Sequence, residues 1–422
     1  MSERILIVGA GVVGLSTACY GARRGFTVTV IERGAADEEG CSFGNAGLIT
    51  PSHIVPLASP GMIKLGIKYL FDPEGPFHIR PRPSGELWFW AWRFWRSATT
   101  EHVLRAAPLI RDLNLASRDC YEELLAEIGD DCALKRDGVI NLCRTERGLA
   151  QEAQTAELAR RVGLTADVVD ARRARELYGD LNLNVVGGVH YPQDYFLSPN
   201  RFMAGLRRLA ERWGVRIEWG TELTGWRTDG RRVSAALTAR GEREADQFVI
   251  CAGSWSPRVA RGLDLDIPIQ AGKGYSVTLT HPPRRPKIAA ILSEARVAIT
   301  PMGAALRFGG TMEIAGLDES ITTRRVNRII RAACQHLTDF SPADFAGVAP
   351  WRGLRPVTPD GLPYIGRTRQ FDNLAVAAGH AMMGFSLGPI TGRLIAAILA
   401  GETPPLASPL LSPDRFARRR QR

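Results

Sequence analysis

The 422 residues exceed what one hydrophobic core usually organises, so two domains are expected. With 45% apolar and 23% charged residues, the composition is that of a folded globular chain and excludes disordered, collagen-like and disulfide-scaffold proteins. The formal charge of +10 comes from arginines spread along the chain; apart from Arg415 and the tail Arg418-Arg419-Arg420-Gln421-Arg422 it reads as solvated surface, so no nucleic-acid partner is expected.

The chain enters Ile5-Leu6-Ile7-Val8 almost at once, with no basic region and cleavage site ahead of it, which makes a cytoplasmic location the expectation. No uninterrupted run reaches the roughly 18 apolar residues of a membrane-spanning helix. Cys19, Cys41, Cys120, Cys132, Cys143, Cys251 and Cys334 are odd in number and scattered, a pattern of reduced thiols rather than a metal site or disulfide framework.

In chain order, a strand over 5–8 leads through a glycine turn into a helix over 15–24, with Gly25 suited to its left-handed cap, and a strand over 27–31. A Gly/Pro/Ser-rich stretch follows over 40–83. Residues 87–95 are unusually aromatic, and two roles stay open for them: a core or subunit-contact helix, or a helix lying in a membrane interface with Arg93 and Arg96. Helices are expected over 108–128, 146–162 and 171–177, with a strand over 139–143. An amphipathic helix over 199–213 carries Phe202, Leu206 and Leu209 on one face. Strands follow over 215–219, 233–238, 247–251, 277–279, 297–299 and 306–308, then a helix over 321–337. A strand over 374–378 precedes a helix over 389–400, with Pro389 at its first position and Gly401 after its last.

Gly9-Ala10-Gly11-Val12-Val13-Gly14 lies between an expected strand and helix. Gly9 permits the tight turn, Gly11 the approach of backbone to a pyrophosphate, and Gly14 close helix–strand packing. Anions are favoured at the helix N-terminus, where free N–H groups and the dipole point. Glu32, at the end of the second strand, is placed to accept hydrogen bonds from the adenosine ribose hydroxyls. FAD and NAD share this opening. The loop Cys41-Ser42-Phe43-Gly44-Asn45-Ala46-Gly47-Leu48 stands where an NAD domain would continue its alternation, and such a loop can bring backbone against a flat ring.

These residues, with Val249-Ile250-Cys251-Ala252-Gly253-Ser254-Trp255-Ser256, Lys273-Gly274-Tyr275-Ser276, the run from Phe308 to Gly316, the run from Gly353 to Gly361, and Gly379-His380-Ala381-Met382-Met383-Gly384, carry a resemblance. The chain resembles the D-amino-acid oxidase-like (DAO) flavoproteins, bacterial D-amino-acid dehydrogenases in particular, over nearly its full length. The resemblance implies an α/β fold: a discontinuous Rossmann-like FAD-binding domain (1–60, 185–265, 345–422) and an α+β substrate domain with a mixed or antiparallel sheet (61–184, 266–344).

It further implies that Gly9, Gly11, Val12, Val13, Gly14, Glu32, Arg33 and Ser42 hold the adenosine diphosphate of FAD. Leu223 would back the adenine, and Asn45, Ala46, Gly47 and Leu48 would run beside the isoalloxazine. Ala252, Gly253, His380, Met383, Gly384 and Phe385 complete the cofactor site, with the following helix aimed at the charge near flavin N1. His380 adds a hydrogen bond there or simply packs.

Arg355 would grip the substrate carboxylate, since a buried guanidinium makes bidentate, charge-assisted pairs. His53, Tyr275 and Met382 would line the pocket. No acid or base residue is required if hydride leaves Cα for flavin N5 from the neutral amine. No tyrosine occurs over 295–299, a departure from glycine-oxidase-like relatives, and the Met382-Met383 pair is similar to that of members acting on D-proline-type imino acids.

The expected activity is oxidation of a D-amino acid or cyclic D-imino acid, such as D-proline or cis-4-hydroxy-D-proline. Electrons would pass to a quinone or an electron-transfer protein. The alternatives are a sarcosine- or glycine-type oxidase using oxygen and the flavin subunit of a larger complex. Oligomerisation and peripheral contact with the inner membrane are compatible with this reading.

Overall fold

Alternate side chains of the Arg4–Val8 strand enter different cores: Ile5 and Ile7 pack with the helices of one layer, Leu6 and Val8 with the layer on the other side. That two-sided burial is the mark of a central parallel strand. In the computed structural model, which describes residues 2–37, 40–69, 75, 77–179 and 181–417, this strand lies inside a six-stranded sheet. The order is Tyr364–Arg367, Leu374–Ala378, Gln247–Ile250, Arg4–Val8, Thr27–Ile31, Arg216–Glu218, parallel except for the antiparallel edge strand Tyr364–Arg367. Helices Val12–Arg23, Pro199–Arg212 and Gly384–Leu399 share the core of one face. The antiparallel ribbon Leu223–Asp229, Arg232–Thr238, Gly241–Glu244 and the short helix Ser256–Arg261 cover the other.

A second, nine-stranded sheet is mixed, as expected. Its order is Trp351–Val357, Gln270–Leu279, Ala305–Ile314, Val297–Met302, Ala289–Leu292, Val139–Cys143, Gly187–Tyr191, Asp167–Asp170, and Phe77–Ile79 adds to Ala305–Ile314. The pairings are antiparallel except at Ala289–Leu292 with Val139–Cys143 and at Phe77–Ile79. Gly187–Tyr191 and Trp351–Val357, which the expected boundaries at 185 and 345 group with the FAD domain, hydrogen-bond here.

The strands expected over 277–279 and 306–308 run far longer, as Gln270–Leu279 and Ala305–Ile314. Gly272, Gly274, Gly309 and Gly310 break the apolar alternation in the sequence, but partners on both sides supply the ladder.

The last long helix begins at Gly384, so Pro389 lies inside it rather than at its first position. A proline there leaves the carbonyl four residues earlier without its helical donor. Tyr121 fills the gap: its hydroxyl donates to the Phe385 carbonyl at 2.5 Å. Pro108 likewise lies within the helix Thr100–Ile128. The stretch Ala381–Leu399 reaches a mean hydropathy of 1.5 despite Arg393, enough by length and composition for a membrane span, yet it is 78% buried between neighbouring helices as core.

Helix Gly85–Ser97 starts at Ser84, whose hydroxyl accepts from Leu87 N at 3.3 Å. Its two faces differ in burial. Leu87, Trp90 and Phe94 are buried, and Trp90 Nε1 donates to the Val357 carbonyl at 2.9 Å. Trp88, Trp92 and Trp95, on the opposite stripe, are 72%, 49% and 63% exposed. All seven cysteines are unbridged. The tail from Arg418 to Arg422 lies outside the described residues.

Candidate active site

The glycine turn is shaped by backbone crowding. Gly9 has φ +110°, and a side chain there would meet the Cys251 carbonyl at 2.6 Å. A side chain on Gly14 would overlap the Gly9 carbonyl. Gly11 differs: the nearest atom to a Cβ placed on it is Ser42 Oγ at 3.6 Å, so its open side belongs to the cavity. Helix Val12–Arg23 starts at that point, and Ser42 Oγ accepts from Val12 N at 3.0 Å. The Glu32 carboxylate accepts from Ala10 N at 2.7 Å and from Gly34 N at 3.0 Å, which fixes it beside the turn with acceptor sites to spare. Arg33 stacks on Trp255 at 3.7 Å.

The 41–48 loop is tied down by a residue that the sequence reading did not single out. Arg307 Nη1 donates to the carbonyls of Phe43 at 2.9 Å and Asn45 at 2.8 Å; its Nε reaches Thr278 Oγ1 at 2.9 Å and its Nη2 Asn200 Oδ1 at 3.3 Å. An arginine set between Leu306 and Phe308 in an apolar strand was the available signal. Asn45 Oδ1 accepts from Gly47 N at 2.8 Å, and the Gly47 carbonyl accepts from Leu197 N at 2.9 Å. The Trp351 ring covers Gly44, where any side chain would overlap it.

One cavity of about 1360 Å³ joins these parts. It runs from the glycine turn, Glu32, Arg33 and Leu223, past Ala252, Gly253 and the 41–48 loop, to the start of the last helix at Met383, Gly384 and Phe385. Its far end is lined by Arg355, Tyr275, His53 and Met382. Of the expected site residues, Gly14 and Gly47 do not line it; they shape the turn and the loop from behind.

Arg355 is held in an unusual way. Its Nη1 donates to the Thr311 carbonyl at 2.8 Å, and its guanidinium lies over Gly274, where a side chain would overlap it. No carboxylate among the described residues pairs with it, and burial pulls its pKa down. Tyr275 is buried, and its hydroxyl donates to Glu313 Oε2 at 3.1 Å. His53 Nδ1 bonds Thr50 Oγ1 at 2.7 Å; burial, then the Arg296 charge, push its pKa down to about 4, so it stays neutral. His380 Nε2 bonds Thr391 Oγ1 at 2.9 Å, and burial pushes its pKa down to about 3. Met382 is 54% exposed at the rim, whereas Met383 is buried.

Three more groups escaped the sequence reading. Asp194 is fully buried, accepts from Ser52 N at 3.0 Å and from the Ser52 hydroxyl, and burial raises its pKa to about 7. Trp351 Nε1 and Thr311 Oγ1 are buried without a described partner, and both residues line the cavity. Buried donors are normally satisfied, so these point at a ligand.

The open side of Gly11, the carboxylate of Glu32 and the unfilled donors beside the second sheet fit FAD laid along this cavity. The FAD dependent oxidoreductase (DAO) model matches residues 4–398. The chain belongs to this family, and FAD is its cofactor.

Among its relatives, the D-amino acid dehydrogenase of Bradyrhizobium diazoefficiens is 32% identical over 424 residues, 99% of each chain. That of Xanthobacter autotrophicus is 33% identical over 98% of this chain and 99% of its own. Among solved structures, glycine oxidase from Geobacillus kaustophilus matches the fold with a TM-score of 0.77 at 23% identity, over 98% of this chain and 99% of that one. L-proline dehydrogenase from P. horikoshii matches with 0.73 at 20% identity, over 98% of each. Such identities carry the fold alone, a flavoenzyme fold with a mixed-sheet domain.

Proposed function

We propose that this flavoenzyme is a D-amino acid dehydrogenase: it oxidises the Cα–N bond of a D-amino acid to an imine and passes the electrons to an acceptor other than oxygen. The observation that carries the substrate class is Arg355, a part-buried guanidinium that faces the cavity with one carbonyl contact and no described counter-charge. Such a group is satisfied by a planar carboxylate. The full-length relatives named D-amino acid dehydrogenase support the reaction type.

Bound FAD supplies the hydride acceptor. The chain does the positioning. Arg355, braced by Thr311 and the bare backbone of Gly274, holds the carboxylate in one orientation. His53, kept neutral, leaves the pocket free of a second cation at that point and is able to accept a hydrogen bond from the substrate amine. The Gly384–Leu399 helix directs its N-terminal N–H groups at the cavity, where they favour developing negative charge.

The deciding experiment is anaerobic flavin bleaching by D- and L-amino acids, D-proline, cis-4-hydroxy-D-proline and sarcosine, followed by stopped-flow reoxidation with oxygen. D-selective bleaching with slow reoxidation is expected. Bleaching by sarcosine or glycine alone, or rapid peroxide formation, favours the oxidase reading and overturns this one.

A second proposal concerns the acceptor's location. We infer that the enzyme docks on an anionic membrane through the exposed stripe of Trp88, Trp92 and Trp95. Arg96 on the same helix is exposed, and its guanidinium lies over the Trp92 ring at 5.1 Å. Tryptophans beside arginines suit an interface with anionic lipid. Co-sedimentation with phosphatidylglycerol vesicles should fall sharply when the three tryptophans become serine; equal retention by both forms rules the docking out.

A further inference from the structure

The cavity is lined by a second arginine, solvent-exposed Arg296, which has no counter-charge among the described residues. Arg296 ends the turn between strands Ala289–Leu292 and Val297–Met302 and lines the cavity with His53, on which its charge acts. It makes no side-chain hydrogen bond or ion pair with any described residue. The nearest acid in sequence, Glu294, is turned away: its Oε1 accepts from Arg144 N and Thr145 N at 3.1 Å each and from Thr145 Oγ1 at 3.0 Å. Arg352, another arginine of the same wall, is already paired with Glu319 at 3.1 Å.

Arg296 also has φ +56°, a left-handed conformation costly for any residue but glycine. A long cation kept where glycine would be easier is an outlier of the kind that gathers at ligand sites.

The sheet brings Arg296 and Arg355 to one floor. Arg355 is tied to the Thr311 carbonyl. The preceding residue, Gly310, pairs with Val297, and a side chain on Gly310 would meet the Arg296 carbonyl at 2.9 Å. The two arginines belong to backbones three strand spacings apart, roughly 14 Å at about 4.8 Å per spacing. Both residues line the cavity from that distance, which leaves room of small-molecule size between them.

We propose that the preferred substrate is an acidic amino acid, with Arg355 binding the α-carboxylate and Arg296 binding the side-chain carboxylate. This rests on the reading of the site as that of an amino-acid dehydrogenase. Arg296 is then the residue that sets specificity, and neutral substrates, cyclic imino acids included, bind less well because they leave its charge without a partner. Placing the acid between two cations also explains how the cavity keeps both arginines free of protein carboxylates.

The test uses the FAD-loaded full-length enzyme. Half-saturation for anaerobic flavin bleaching is measured with D-glutamate, D-aspartate and the uncharged isosteres D-glutamine and D-asparagine. The acids should half-saturate at about 10- to 100-fold lower concentration than their amides, the range of one charge-assisted pair.

Arg296→Gly, which suits the left-handed backbone and so protects the fold, should collapse that ratio to near one. Arg296→Glu should invert it and bring in D-lysine. Amides that bleach as readily as acids, or a ratio unmoved by either variant, overturn the assignment of Arg296 while leaving the dehydrogenase reading intact. Flavin bleached by no amino acid at all overturns that parent reading, and the acidic preference with it.

Discussion

Arg355 lies over Gly274, the residue one strand away whose missing side chain makes room for the guanidinium. The cation is thus positioned by an absence as much as by its bond to the Thr311 carbonyl at 2.8 Å. Gly274→Ala should therefore displace Arg355 and act as a milder copy of Arg355→Ala. For the latter, loss of a charge-assisted carboxylate pair predicts an increase of about 10- to 150-fold in the concentration for half-maximal flavin bleaching. Unchanged half-saturation in Arg355→Ala would refute its role.

Gly11 and Gly14 separate cofactor binding from folding. Because a side chain on Gly11 meets only Ser42 Oγ at 3.6 Å, Gly11→Val should leave the cofactor-free protein folded while blocking the pyrophosphate. Gly14→Ala should instead lower the stability of the cofactor-free form, since its Cβ would overlap the Gly9 carbonyl. Circular dichroism melting and FAD titration by fluorescence quenching distinguish the two outcomes.

Arg307 holds two carbonyls of the flavin-side loop, at Phe43 and Asn45. Arg307→Ala leaves those acceptors unmet and is expected to cost about 2–4 kcal/mol in urea unfolding, with looser FAD binding. Arg307→Lys should recover only part of this, since an ammonium cannot reproduce the forked geometry. Stability equal to that of the parent protein in Arg307→Ala would remove the loop clamp from the account.

The buried titratable groups give opposite pH slopes. His53 and His380 are pushed down to about 4 and about 3 by burial, so below about 6.5 the unfolded chain takes protons that the folded chain refuses. Their contribution is full above that pH and is lost as pH falls. Asp194 runs the other way: raised to about 7 by burial, it keeps a proton that the unfolded carboxyl has released, so stability declines as pH rises from about 4 to 7. In denaturant unfolding across this range, Asp194→Asn should remove a decline of up to one proton per molecule, and His380→Asn should soften the acid limb. Parallel curves for parent and variants would contradict both assignments.

The cofactor end was legible because its signals are local. Gly9, Gly11, Gly14 and Glu32 lie within one strand–helix–strand unit, where spacing alone dictates which backbone meets a phosphate and which side chain meets a ribose. The 41–48 loop and Arg355 were legible through family resemblance, not periodicity.

What the sequence determined by itself was therefore the kind of fold and the cofactor, through short-range geometry and an ordered set of motifs. Only the tertiary structure decided the rest. The register of Gln270–Leu279, Ala305–Ile314 and Val297–Met302 sets Arg355, Thr311 and Arg296 around one floor, and Arg307 under a loop more than 250 positions earlier. Glycines at the crossings hide those strands from any alternation pattern, and a charge in an apolar strand has no address until its distant partner is known. Packing also divided the aromatic helix into a buried and an exposed face, because Leu87, Trp90 and Phe94 meet the apolar cluster of Leu57, Met312 and Val357, where Trp90 also finds the Val357 carbonyl.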